Sequence, residues 1–168
     1  MNRSKKIVWV GFFLCASLWG APFTDNGNGT VTDSATRLVW QKCSAGQGTT
    51  LGNCGTGSIS WYTLSDALMF CEGLILGGRS DWRLPNINEL MSIIDYTKND
   101  PSIDSSVFPN TETTTYWSST TQAHNTSRMW IIQFSSGNLI FSSKEGQNRV
   151  RCVTGPRFDS SKNKRRPI

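Results

Sequence analysis

Histidine is almost missing from this chain: His124 is the only one in 168 residues. Imidazole proton shuttles and histidine-based zinc sites therefore have almost no raw material. No two cysteines stand at CxxC spacing, which argues against structural zinc held by thiolates. No segment reaches the roughly twenty apolar residues of a membrane-spanning helix. The most apolar one, Ile7 to Leu14, stays short even when extended to Trp19. No internal repeat is found, so solenoids and propellers are excluded. Charge is sparse as well: Pro22 to Gly155 holds nine basic and eleven acidic residues, a net of −2. The overall net charge of +5 thus comes from the two ends, and the body offers no organised basic face for nucleic acid.

What the ends contain is informative. Arg3, Lys5 and Lys6 precede the apolar run, and small residues follow at Cys15-Ala16-Ser17 and Gly20-Ala21, so residues 1–21 read as a secretory signal peptide. The rival is an uncleaved anchor. A lipoprotein leader is ruled out by Leu14, a large residue directly before Cys15. Export places the body, residues 22–155, in the periplasm, on the outer surface or in the medium, where disulfides persist. Residues 156–168, with Lys162, Lys164, Arg165 and Arg166, read as a basic disordered tail suited to anionic lipid or polysaccharide.

Four cysteines remain after the leader: Cys43, Cys54, Cys71 and Cys152. An even count in an exported chain implies two disulfides, with three pairings open. Cys43 and Cys54 bracket the loop CSAGQGTTLGNC, which suits a local bridge and leaves Cys71 for Cys152. Loop entropy assigns about 3 kcal/mol to the short bridge and roughly 4–5 kcal/mol to the long one.

Local signals outline an α+β domain. FTDNGNGTVTDSATRLVWQ carries two β-favouring pieces, Thr30–Thr32 and Leu38–Trp40, with Asn-Gly and Asp-Ser turn chemistry around them: a β-hairpin. DNGNGT is a turn and not a calcium loop, because with Gly29 as the loop glycine the first and twelfth positions fall on Thr24 and Ala35. Leu64, Ala67, Leu68 and Cys71 form the buried stripe of a first helix, capped by Thr63. A second helix starts at Asn86, an N-cap with Glu89 at N3 and Pro85 just before it. Tyr96 to Thr115 is a long polar loop of the kind that often carries function. Then TTTYWSSTT, RMWIIQF, GNLIFSS and NRVRCV read as strands, with Met129, Ile131 and Gln133 on one face and Trp130, Ile132 and Phe134 on the other.

FTDNGNGTVTDSATRLVWQ, GGRSDWRLPNINEL, FPNT, YWSST, the Trp130-to-Gly137 pattern WxxxFxxG and VRCV occur in this order. Together they resemble the bacterial domain family named after the C-terminal domain of the Legionella collagen-like adhesin. The resemblance implies a C-type lectin-like fold: two helices flanking a small, twisted antiparallel sheet, tied by a disulfide from the first helix to the last strand. It also implies adhesin-like recognition of sulfated polysaccharide. The chain has no collagen-like Gly-x-y repeat, so trimerisation does not carry over. RLP followed by an acid also looks like the related formylglycine-generating enzymes. Their chemistry requires reactive cysteines, and here all four have structural duties.

SDWRLPNINEL holds unlike chemistries in eleven residues, and two readings compete for it. As a site, Asp81 and Glu89 would be the acids. As a fastener, Arg83 is held by charge-assisted hydrogen bonds while Trp82 packs and Pro85 precedes the helix, and this is the reading adopted. True calcium-dependent lectins use Glu-Pro-Asn or Gln-Pro-Asp with a Trp-Asn-Asp strand. Phe108-Pro109-Asn110 has the wrong first residue and no Trp-Asn-Asp occurs, so no metal or cofactor is expected. His124 lacks a patterned partner, so no enzyme is expected. Candidate ligand contacts are Arg128, Arg149 and Arg151 for anions, with the two last alternating on the outward face of the final strand. Tyr116, Trp117 and Trp130 are candidate stacking rings, and Asn110, Ser118 and Ser119 neutral hydrogen-bonding groups. The expected function is an exported, non-enzymatic module binding a glycan, sulfated or otherwise anionic. The alternative is a structural protein–protein component of the envelope.

Overall fold

The computed structural model describes residues 22–48 and 54–156. Residues 1–21, 49–53 and 157–168 lie outside the described residues, and with them the expected signal peptide and the expected basic tail.

A three-strand meander opens the fold: β1 (Phe23–Asp25), β2 (Thr30–Asp33) and β3 (Val39–Gln41). The expected hairpin is its second half. The Asn-Gly repeat turns β1 into β2 because Gly27 and Gly29 take φ of 70° and 82°. Asp25 at the end of β1 pairs with Lys42 at 2.7 Å. Helix α1 (Leu64–Glu72) is capped by the Thr63 hydroxyl accepting from Asp66 N. Helix α2 (Ile87–Met91) carries a full capping box between Asn86 and Glu89. Then follow β4 (Thr115–Thr121), β5 (Arg128–Gln133), β6 (Asn138–Ser143) and the two-residue β7 (Val153–Thr154).

The strands form two antiparallel sheets, β1-β2-β3-β7 and β4-β5-β6, not the single flanked sheet that the resemblance implied. The cause is the last segment: β7 leaves the second sheet and pairs with β3 through Val39–Thr154 and Trp40–Val153. Strand alternation then makes β5 a partition. Ile132 and Phe134 enter a core with Val31, Trp40, Leu90, Phe108 and Tyr116, while Met129 and Ile131 enter another with Ala67, Cys71, Trp82 and Trp117. The long loop from Tyr96 to Thr115 is anchored to the first core by Ile103 and Phe108, both fully buried.

Two local expectations are corrected. Leu68 is 36% exposed, since α1 centres its buried face on Ala67 and Cys71 and flanks it with Leu64 and Phe70. The NRVRCV stretch forms a ladder only at its end. Before that it threads between the sheets, with bonds from Arg149 N to Thr115 O, Ala45 N to Val150 O and Gln41 N to Cys152 O. Both expected disulfides are present, Cys43–Cys54 and Cys71–Cys152, the second joining α1 to the residue before β7.

Candidate ligand-binding surface

The threading of residues 148–153 decides the fate of two candidate arginines. Arg149 and Arg151 are 7% and 1% exposed, because neighbouring backbone covers both sides of a segment read as an outer strand. Arg149 spends its donors on Glu112 Oε2 and the Ile59 carbonyl, and its guanidinium lies 3.9 Å from the Trp61 ring centre. Arg151 donates through Nη2 to Ser44 Oγ and Thr111 Oγ1 and stacks on Phe108 at 4.8 Å. Its Nε and Nη1 have no partner, and no carboxylate pairs with it among the described residues. Desolvation lowers its pKa to about 10, so it remains a cation at neutral pH.

Three more candidates are likewise internal. Tyr116 and Trp117 are fully buried, the first bonding Ser44 through its hydroxyl and the second donating its indole N–H to the Tyr62 carbonyl. Buried Ser118 donates to the Trp130 carbonyl at 2.6 Å. Ser119 is exposed but its hydroxyl bonds Pro85 O, and exposed Asn110 stands apart in a turn with φ of 53°. The single histidine, His124, lies exposed in the β4–β5 connection.

Arg128 and Trp130 remain, and the fold brings them together. Both project from the face of β5 on which α2 packs, and the register sets Trp130 opposite Phe141 of β6. Their rings meet edge-on with centroids 6.1 Å apart, and the Arg128 guanidinium lies 4.8 Å over Phe141. Leu139, opposite Ile132, extends the patch along β6. Tyr96, a further exposed ring, closes on the β5–β6 turn, where a Cβ on Gly137 would lie 3.2 Å from its Cε1. From Leu139 to the Arg128–Ser143 pair this strip spans four residues, about 13 Å.

Arg128 differs from Arg149 in one decisive respect. It is exposed and forms no ion pair among the described residues, so its donors are available to a planar anion. Phe141 was missed from the sequence because GNLIFSS alternates without a polar face, which conceals that β6 is an edge strand. Helix α2 is also too short to cover the strip to its end.

A sequence profile described as the Lcl C-terminal domain matches residues 29–154. The chain belongs to that family. No curated protein matches the chain. The Lcl C-terminal domain assignment agrees with the resemblance read from the motifs and fits an adhesin-like extracellular domain. The two disulfides fit export as well, and no helix among the described residues is long and apolar enough to cross a membrane. Within this Lcl C-terminal domain the SDWRLPNINEL motif lies between the two sheets. Arg83 pairs its backbone with Val153 and its side chain with Glu89, while the Trp82 indole N–H is shared between the Leu76 and Arg79 carbonyls. Asp81 is exposed and faces Arg79 at 3.6 Å.

Proposed function

We propose that this Lcl C-terminal domain is an exported, non-enzymatic, C-type lectin-like module that recognises a polysaccharide through the strip of Arg128, Trp130 and Phe141. One observation carries the reading: an unpaired arginine fixed over an aromatic pair on an exposed sheet face. Rings of this kind stack on the apolar faces of sugars, and the guanidinium forks onto sulfate or carboxylate. Recognition without calcium is supported by the donor set. Phe108 of the Phe108-Pro109-Asn110 segment is fully buried, and no three acidic, cysteine or histidine groups among the described residues are placed to hold a metal.

The test is a binding titration of the full chain with a sulfated glycosaminoglycan and its desulfated counterpart, with and without chelator, at two salt concentrations. The reading expects sulfate preference, weakening with salt and indifference to chelator. Chelator-sensitive binding, or none that Trp130→Ala removes, would refute it. A second reading, a structural component of the envelope, draws on the edge position of β6 and its uncharged sequence Asn138–Ser143, which leave a strand open to pairing. Its mark would be a stable complex with another envelope protein that Phe141→Lys disperses.

A further inference from the structure

Trp61 is 48% exposed, although tryptophan is on average a highly buried residue. Its place in the fold is nevertheless fixed. Tyr62 exchanges both backbone bonds with Asn148 at 3.0 Å in an antiparallel bridge, and Ser60 N bonds Ala45 O at 3.3 Å. Carried one residue further, the Tyr62–Asn148 register sets Trp61 opposite Arg149 on one face. Arg149 cannot swing away, because Glu112 and the Ile59 carbonyl hold its donors. The guanidinium therefore backs one face of the indole, 3.9 Å from the ring centre, and the rest of the ring meets solvent. A ring already held in this way loses little conformational freedom when a ligand covers it.

The same arginine leaves an acceptor open beside the ring. Its Nε and Nη2 both go to Oε2 of Glu112. Oε1 accepts from no donor among the described residues, and the Glu112 side chain is 40% exposed. Arg149 and Glu112 neutralise each other, so the place favours a ligand without net charge. An anion would face the open carboxylate oxygen, and a cation would face the guanidinium across the ring. A wholly apolar molecule would leave Oε1 without a donor. A pyranose meets both demands, with C–H groups to cover the ring and hydroxyls at its rim to donate to a carboxylate.

We propose that Trp61 and Glu112 form a binding site for a neutral pyranose, stacked on the outer face of the indole with a hydroxyl donating to Glu112 Oε1. The site shares no residue with the strip of Arg128, Trp130 and Phe141, and it disfavours the charge which that strip accepts. The two therefore stand or fall separately.

The experiment follows indole N–H and amide resonances of the full chain during titration with cellohexaose, mannohexaose and galactohexaose to about 10 mM. Trp61→Phe identifies the Trp61 indole signal. At least one neutral hexaose should shift that signal and the amides of Ser60 and Glu112 saturably, while a sulfated glycosaminoglycan leaves them in place. Trp61→Ala should weaken this binding about tenfold, and Trp130→Ala should not change it. The O-methylated form of the same hexaose keeps its C–H faces, loses its hydroxyl donors and should bind about tenfold more weakly. That contrast uses the unaltered protein and needs no variant. The proposal is overturned by the absence of a Trp61 shift with all three sugars, by shifts confined to the strip, or by equal binding of the methylated or sulfated probe. A shift caused by p-cresol and by no sugar also overturns it, because the ring would then seat tyrosine side chains of a protein partner.

Discussion

Arg83 and Glu89 face each other through two parallel hydrogen bonds, Nη1 to Oε2 at 2.6 Å and Nη2 to Oε1 at 2.8 Å. Glu89 is wholly shielded from solvent and also accepts from the Asn86 backbone at 2.9 Å. Arg83 in turn exchanges both backbone bonds with Val153 at 2.9 Å. The start of α2 is thereby locked to the strand that closes the first sheet.

Breaking that pair should be costly. Arg83→Met leaves a buried carboxylate without its cation, and the loss expected is about 3–5 kcal/mol. Denaturant unfolding measures it. A loss below about 1 kcal/mol would mean that the motif does not fasten the fold.

Arg151 should behave in the opposite way. Its guanidinium is buried with no carboxylate among the described residues to balance it, so desolvation is not repaid by an ion pair there. Because its folded-state pKa is lowered to about 10, below the ordinary arginine range, the unfolded chain holds that proton more tightly. Stability from this group therefore rises only as pH climbs past about 10, and the penalty is fully present at every lower pH. Arg151→Met should keep or raise stability, within about 1 kcal/mol or better, by an amount that is flat from pH 5 to 9. A loss beyond about 3 kcal/mol would show that the bonds to Ser44 and Thr111 outweigh the burial.

The two disulfides should rank by loop length. Cys71–Cys152 closes a separation of 81 residues and Cys43–Cys54 one of 11. Paired replacement by alanine is expected to cost roughly 4–5 kcal/mol for the first and about 3 for the second. Both figures are read from unfolding midpoints, and a reversed order would count against the loop-entropy account.

Surface variants should separate binding from folding. Trp130→Ala and Phe141→Ala remove partly exposed rings and should lower glycan affinity by about tenfold, while Phe141→Ala shifts stability by less than about 1 kcal/mol. Arg128→Ala should chiefly flatten the salt dependence of binding. Affinity unchanged in all three would move the search to another face.

Much of the local architecture was legible because its causes are local. Thr63, Asn86 and Glu89 cap helices within three residues of themselves, and Asn-Gly sequences turn wherever φ above zero is required. The alternation in β5 correctly divided its side chains between two faces. Leu68 misled because a nine-residue helix offers too few turns for periodicity to fix the centre of its buried face.

The sequence by itself determined the caps, the turns and the family motifs, since each depends on neighbours in the chain, while the cysteine count limited the bridges to three pairings. Only the tertiary structure decided which arginines meet solvent. Arg149 and Arg151 look like surface charges until Glu112 and Ile59, 37 and 90 residues away, and Ser44 and Thr111, 107 and 40 residues away, enclose them. Arg128 stays exposed at the start of β5, beside the edge strand β6. Burial is a property of what arrives from elsewhere, and alternation along a strand records its two faces without saying what will cover them.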